Sequence, residues 1–240
     1  MNKRLLIPGT LTLLNLFCGF LSIRYSFDGH YLTAAWLIIL AAVFDALDGA
    51  VARLIRGYSQ FGIEFDSLAD VISFGAAPSF LLYSIHFQSL GDVGVIISFM
   101  PLFFGAVRLA RFNVLQAGFE KENYLGLPIP MQAIALASYV IFCMSIWGGI
   151  RFPAFLVPFV VFLSFLMVSH FEYEALPKFT FRKDLRNTMK LSAFLGASLL
   201  AILFPQFAIF PLTLLFVLIG FVRGVLQALH GEEEVVDIST

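Results

Sequence analysis

The sequence predicts an all-α integral membrane protein, a polytopic bundle of about eight transmembrane helices. Three observations carry that prediction. Of 240 residues, 60% are hydrophobic and 13% charged, where soluble domains carry roughly 25% charged residues, and the mean hydropathy is +0.90. The apolar residues fall in runs close to the ~20 residues that a helix needs to cross a bilayer. The lysines and arginines collect at alternate ends of those runs, as positive-inside topology requires.

In chain order the expected spans are residues 7–26, 32–55, 62–87, 93–114, 128–147, 153–171, 190–204 and 207–228. The opening, Met1 to Arg4 followed by a long apolar run, looks like a signal peptide. No small-residue cleavage site follows, and Asn15 with Gly19 inside the run suits a retained helix. The seventh span is short, and its boundary at Pro205 leaves open a re-entrant pair with the eighth. Residues 1–228 are expected to form a single membrane domain, and residues 229–240 a short, acidic, disordered tail. The longest polar stretch, Glu172 to Lys190, is too short for a core of its own; with five basic residues, it suits a loop lying on anionic headgroups.

With the N-terminus cytoplasmic, all 15 lysines and arginines except Arg24 and Arg151 fall on or near the cytoplasmic side. The expectation is a multi-pass protein of the cell (plasma) membrane with both termini cytoplasmic. A net charge of −1 and the lack of a basic run with interleaved aromatics make no case for nucleic acid. Cys18 and Cys143 lie in apolar spans and read as small packing residues.

The chemistry gathers between Asp45 and Asp70, where four aspartates interrupt hydrocarbon-like sequence. Ionisable groups in membrane spans are costly and mark function by default. Spacings of three and four share a helix face, which puts Asp45, Asp48, Gly49 and Ala52 on one stripe and Gly62, Asp66, Asp70, Ser73 and Ala77 on another. Two such helices packed antiparallel bring the carboxylates together. Without a counter-ion the arrangement is repulsive, and hard divalent cations, Mg²⁺ or Mn²⁺, relieve it through oxygen ligands. Asp45 and Asp66 are candidates to bridge two such ions. Gly49, Ala52 and Gly62 allow close approach of a backbone or a bulky ligand, and Arg53 at the membrane edge suits a phosphate.

The spacing D-x2-D-G-x2-A-R-x8-G-x3-D-x3-D, carried by Asp45, Asp48, Gly49, Ala52, Arg53, Gly62, Asp66 and Asp70, resembles the signature of the CDP-alcohol phosphatidyltransferase family. Eight fixed residues over 26 positions make it a specific motif. The resemblance implies that Asp45, Asp48 and Asp66 hold one metal ion and that Asp45, Asp66 and Asp70 hold a second. It implies Asp70 as the base for the incoming alcohol, and Gly49, Ala52, Arg53 and Gly62 as the binding site for CDP-diacylglycerol. It also implies a six-helix core, with two further C-terminal helices here, and a homodimer. F-D-S-L-A-D followed by S-F-G-A-A-P looks like the phosphatidylserine synthase branch. Related phosphatidylglycerophosphate synthases usually carry a proline and a lysine where this chain has Ser67 and Val71. L-serine is therefore the expected acceptor, with glycerol 3-phosphate or inositol phosphate as alternatives.

Other polar residues keep two readings. Asn15 serves either a helix–helix hydrogen bond or a place beside nucleotide or acceptor. Arg108 and Arg111, three apart, either anchor the fourth span at the interface or form, with Asn113, a pocket for the serine carboxylate or a lipid phosphate. R-x-x-R-F-N followed by G-L-P-I-P also resembles the same branch, so the likeness covers roughly residues 5–135. From another class, a cation-coupled transporter would place acids near the bilayer midplane on broken helices, often with repeated halves. Here they gather at one end of two helices and no repeat is visible.

Overall fold

A computed structural model describes residues 3–55, 60–117, 126–171, 173, 196 and 199–236. Every regular element among them is helical. The chain begins as a helical hairpin, α1 (Lys3–Phe27) against α2 (Tyr31–Ile55). Gly29 makes the reversal with φ 81°, a left-handed conformation that a side chain disfavours. The hairpin is stitched by Ser22 Oγ, which donates to the Ala34 carbonyl at 2.9 Å. On α2, Ala34, Ala35, Ile38 and Ala41 are wholly buried, and the three alanines let neighbouring helices come close.

The expected third span is not one uniform helix. It comprises α3 (Gln60–Asp70), a π-helical turn (Val71–Ala76) and α4 (Ala77–Ile85). Ser73, Phe74 and Gly75 of that turn are buried, and it meets α1 on one side and α5 (Gly91–Ala117) on the other. Toward α1, Ser73 Oγ donates to the Asn15 carbonyl at 2.9 Å. This contact needs a glycine opposite, because a Cβ on Gly19 would lie 2.7 Å from Ser73 Cα. A π turn inserted in an α-helix is uncommon and often marks a functional site; here it follows Asp70 directly.

Beyond α5 come α6 (Ile129–Trp147), α7 (Pro153–Val168) and a long α8 (Pro205–Val236). Gly126 and Leu127 donate their backbone N–H groups to the Phe171 and Leu166 carbonyls, both at 2.9 Å, which ties the start of α6 to the end of α7. Aromatic contacts dock α8 along α6 and α7: Phe210 meets Tyr139 at 5.3 Å, and Phe221 meets Phe162 at 5.2 Å. The deepest side chains include Phe74, Leu81, Leu82, Leu136, Leu156 and Met167.

Six segments among the described residues are long and apolar enough to cross a membrane: Gly9–Phe27, Tyr31–Leu54, Gln60–Ile85, Phe87–Val114, Ile129–Trp147 and Pro205–Leu229. The chain is a multi-pass membrane protein. Of the other two expected spans, 153–171 contains α7, whose 16 residues fall just short of the ~17 that a crossing takes. The 190–204 span lies mostly outside the described residues, with 199–203 helical. So does the polar loop 172–190, apart from Tyr173. At the far end α8 runs on to Val236, past the expected boundary at residue 228, and takes most of the acidic tail into a helix.

Gly19 supplies a test of the α1 contact with the π turn. Gly19→Ala is expected to destabilise the protein by about 1–3 kcal/mol, the usual cost of overpacking, because Ser73 Cα is backbone and has no free torsion to yield. Gly9→Ala on the same helix, where a Cβ meets nothing within 4 Å, is expected to leave the melting temperature of the detergent-solubilised protein unchanged. Equal melting temperatures for the two variants would contradict the close approach.

Candidate active site

The acids of α2 meet those of α3. Asp45 and Asp48 lie in the second half of α2, and Asp66 and Asp70 in the second half of α3. At 1.5 Å per residue, Asp45 and Asp70 are each ~15 Å from the helix ends that border residues 56–59. The group is thus recessed along the helices. Asp45, Asp48 and Asp66 each offer an oxygen, and these oxygens lie within 4.8 Å of one another. Asp66 Oδ1 is buried with no hydrogen-bond partner.

Asp70 stands outside that group of three. It is buried, and its Oδ1 accepts a hydrogen bond from Asn15 Nδ2 at 3.2 Å. Asn15 is itself wholly buried. Its backbone carbonyl is taken by Ser73, and its own Oδ1 has no partner. One turn earlier on α1, Thr12 Oγ1 donates to Asp48 Oδ2 at 3.0 Å. Thr12 and Asn15 share a face by their spacing of three, so α1 orients one carboxylate on each of the two acid-bearing helices. The signal was present in the sequence as T-x-x-N within an apolar helix, but a hydroxyl in such a helix has many possible partners, and Thr12 was not singled out.

The other candidates surround these acids unevenly. Gly49, Ala52 and Gly62 are half-buried and Arg53 is exposed. A Cβ on Gly49 would meet nothing within 4 Å, so this glycine, beside Asp48, is not there to let a helix pack; the space is open to a ligand. On α5, Asn113 Nδ2 donates to Ser67 Oγ at 3.1 Å, which joins the end of α5 to α3 at the residue after Asp66. Arg108 is half-buried and Arg111 exposed. Residues three apart differ by 60° around a helix, and here that angle separates a face turned inward from one turned outward.

A divalent cation fits this donor set. Three carboxylates crowded among apolar helices repel one another, the buried Asp66 Oδ1 lacks any protein donor, and all the oxygens are hard ligands of the type that Mg²⁺ and Mn²⁺ take.

Residues 5–171 match the family model described as CDP-alcohol phosphatidyltransferase. The chain belongs to the CDP-alcohol phosphatidyltransferase family. A CDP-diacylglycerol–serine O-phosphatidyltransferase of Helicobacter pylori is 38% identical over 177 residues, 72% of this chain and 73% of that protein. One of Methanocaldococcus jannaschii is 33% identical over 234 residues, 96% of this chain and 98% of that protein. An archaetidylserine synthase of Methanothermobacter thermautotrophicus is 38% identical over 174 residues, 70% and 69% of the two chains. The match to the family reaches through α7, well beyond the acidic motif.

Repulsion among the acids predicts an unusual stability effect. In chelator-treated protein, Asp66→Asn is expected to raise the melting temperature, by about 2–4 °C for each kcal/mol of repulsion removed. Added Mg²⁺ or Mn²⁺ is expected to stabilise the wild type through binding to the folded state and to stabilise the variant much less. A fall in the melting temperature of the metal-free variant would show that the carboxylates are not in conflict.

Proposed function

We propose that this chain transfers a phosphatidyl group from CDP-diacylglycerol to the hydroxyl of L-serine, giving phosphatidylserine and CMP. The observation that carries the proposal is the convergence of Asp45, Asp48 and Asp66, from two helices, on one small volume within the family's motif. The relatives support the acceptor: serine is common to the names of the phosphatidyltransferases and the archaetidylserine synthase, while the lipid differs between them. Ser67 and Val71 support it too.

In this reading Asp45, Asp48 and Asp66 hold one divalent cation, and Asp45, Asp66 and Asp70 a second. When bound, such ions neutralise phosphate oxygens and stabilise the charge on the departing nucleotide. The residues of the chain do the rest. The open space beside Gly49, with Ala52, Gly62 and Arg53, accepts the cytidine diphosphate, and the diacylglycerol moiety stays in the bilayer. Asn15, Arg108 and Asn113 serve the serine or a phosphate, and Arg111, on the exposed face of α5, serves a lipid phosphate; the unpartnered Asn15 Oδ1 is suited to accept from the ammonium or hydroxyl group of serine.

Asp70, held by Asn15 Nδ2 at one oxygen, takes the proton of the serine hydroxyl as general base. The serine oxygen forms a bond to the lipid-side phosphorus, and the bond from that phosphorus to the CMP oxygen breaks, its electron pair leaving with CMP. The acids face the cytosol in this reading, in a plasma-membrane protein with both termini cytoplasmic. A homodimer belongs to the same reading, and α8 offers it an exposed apolar stripe including Leu215, Leu218, Ile219 and Val222.

Asp70→Asn is expected to lower turnover by about 10²–10⁴-fold, the usual contribution of a general base, while CDP-diacylglycerol binding is largely kept. The acceptor is tested separately, with purified protein, CDP-diacylglycerol, Mg²⁺ or Mn²⁺ and a panel of alcohols. CMP release that depends on serine is expected; release with glycerol 3-phosphate or inositol phosphate and none with serine would overturn the acceptor and keep the chemistry. Sustained exchange of labelled CMP into CDP-diacylglycerol without serine would count against direct displacement.

A further inference from the structure

A cavity of about 660 Å³ opens between the end of α6, the start of α7 and α8. It lies at the opposite end of the bundle from the aspartates. Asn113 ties the end of α5 to α3 at the level of the carboxylates, and Ile129 at the start of α6 lies against Gly105 in the same half of α5, from which α6 spans the membrane to Trp147. The turn from Gly148 to Phe152, which borders the cavity, is therefore on the other membrane face.

The walls are apolar and cross-braced. Tyr139 packs against Phe155, Phe159 and Phe210 with ring centroids 5.8, 6.0 and 5.3 Å apart, and its hydroxyl donates to the Phe152 carbonyl at 3.1 Å. Trp147 stands edge-on to Phe152 at 5.4 Å. The braced rings hold this crevice in shape, open to its surroundings. The lining has one charge, the exposed Arg151. Among the described residues no carboxylate is paired with the guanidinium of Arg151.

An occupant must therefore be long and apolar at one end and anionic at the other. A soluble metabolite has nothing polar to bind inside, and a neutral lipid leaves Arg151 unmatched. We propose that this cavity binds an anionic phospholipid of the leaflet opposite to the aspartates, with an acyl chain between the aromatic rings and its phosphate on Arg151. Arginine offers a planar pair of donors for phosphate oxygens, and half-exposed Trp147 suits the headgroup level. This site is separate from the proposed reaction and does not depend on it.

Native mass spectrometry of the full-length chain in detergent tests the site, with phosphatidylglycerol compared against phosphatidylcholine of the same acyl chains. Wild type is expected to hold one phosphatidylglycerol more tenaciously than phosphatidylcholine. Arg151→Ala is expected to lower phosphatidylglycerol retention by about tenfold, as loss of a charge-assisted pair implies, and to leave phosphatidylcholine unchanged. Arg151→Lys is expected to restore part of the difference. Ala154→Trp, which fills the cavity, is expected to lower both lipids. Lipid held at the aspartate end is untouched by these variants, so equal phosphatidylglycerol retention in wild type and Arg151→Ala would overturn the proposal, whether or not Ala154→Trp folds. Retention lost only when a dimer dissociates would overturn it too, by giving the cavity to a second copy of the chain.

Discussion

The mutual repulsion of carboxylates inside an apolar bundle is the constraint to which the rest of this structure responds. Asp45, Asp48 and Asp66 come within 4.8 Å of one another, an arrangement that hydrocarbon surroundings oppose twice, through desolvation and through like charge. It persists only if the backbone holds the groups in place and a cation is available to answer them. The first condition is visible in the fold: α2 and α3 carry the acids to one another, and α1 packs against both.

That third helix, α1, is easily mistaken for a plain membrane anchor. It donates from Thr12 to Asp48, from Asn15 to Asp70, and from Ser22 to the backbone of α2, and it accepts from Ser73. Four hydrogen bonds along one face of an otherwise apolar helix fix its rotation. In hydrocarbon an unmatched hydroxyl or amide is costly, so these residues select one docking of α1. The acids inherit their orientation from that choice, and chemistry on α2 and α3 depends on a helix that contributes no acid.

The sequence made much of this legible, for identifiable reasons. Hydropathy located the spans because a bilayer demands length, and the fixed spacing of Asp45, Asp48, Asp66 and Asp70 located the acids because helical periodicity turns spacing into a face. Asp70 and Ser73 do share a face, since both meet Asn15 of α1; what the spacing did not announce is the π turn that begins between them and the place of Asp70 outside the close group of three. Partners of single polar residues were not legible either. Asn113 and Ser67, or Thr12 and Asp48, are distant in sequence, and nothing in their local context names the other. Arg108 and Arg111 looked alike in sequence and differ in burial because the boundary between protein and surroundings runs between them.

The π turn between Asp70 and Ala77 has a mechanical consequence. The segment before it is held by α1 through the hydrogen bond from Asn15 to Asp70, while the segment after it, with Leu81 and Leu82, is seated in the apolar interior. The turn is clamped between them, because Ser73 and Asp70 bond the same residue of α1. A displacement of the greasy half that moves Ser73 is therefore felt at Asn15, and through it at the carboxylate of Asp70.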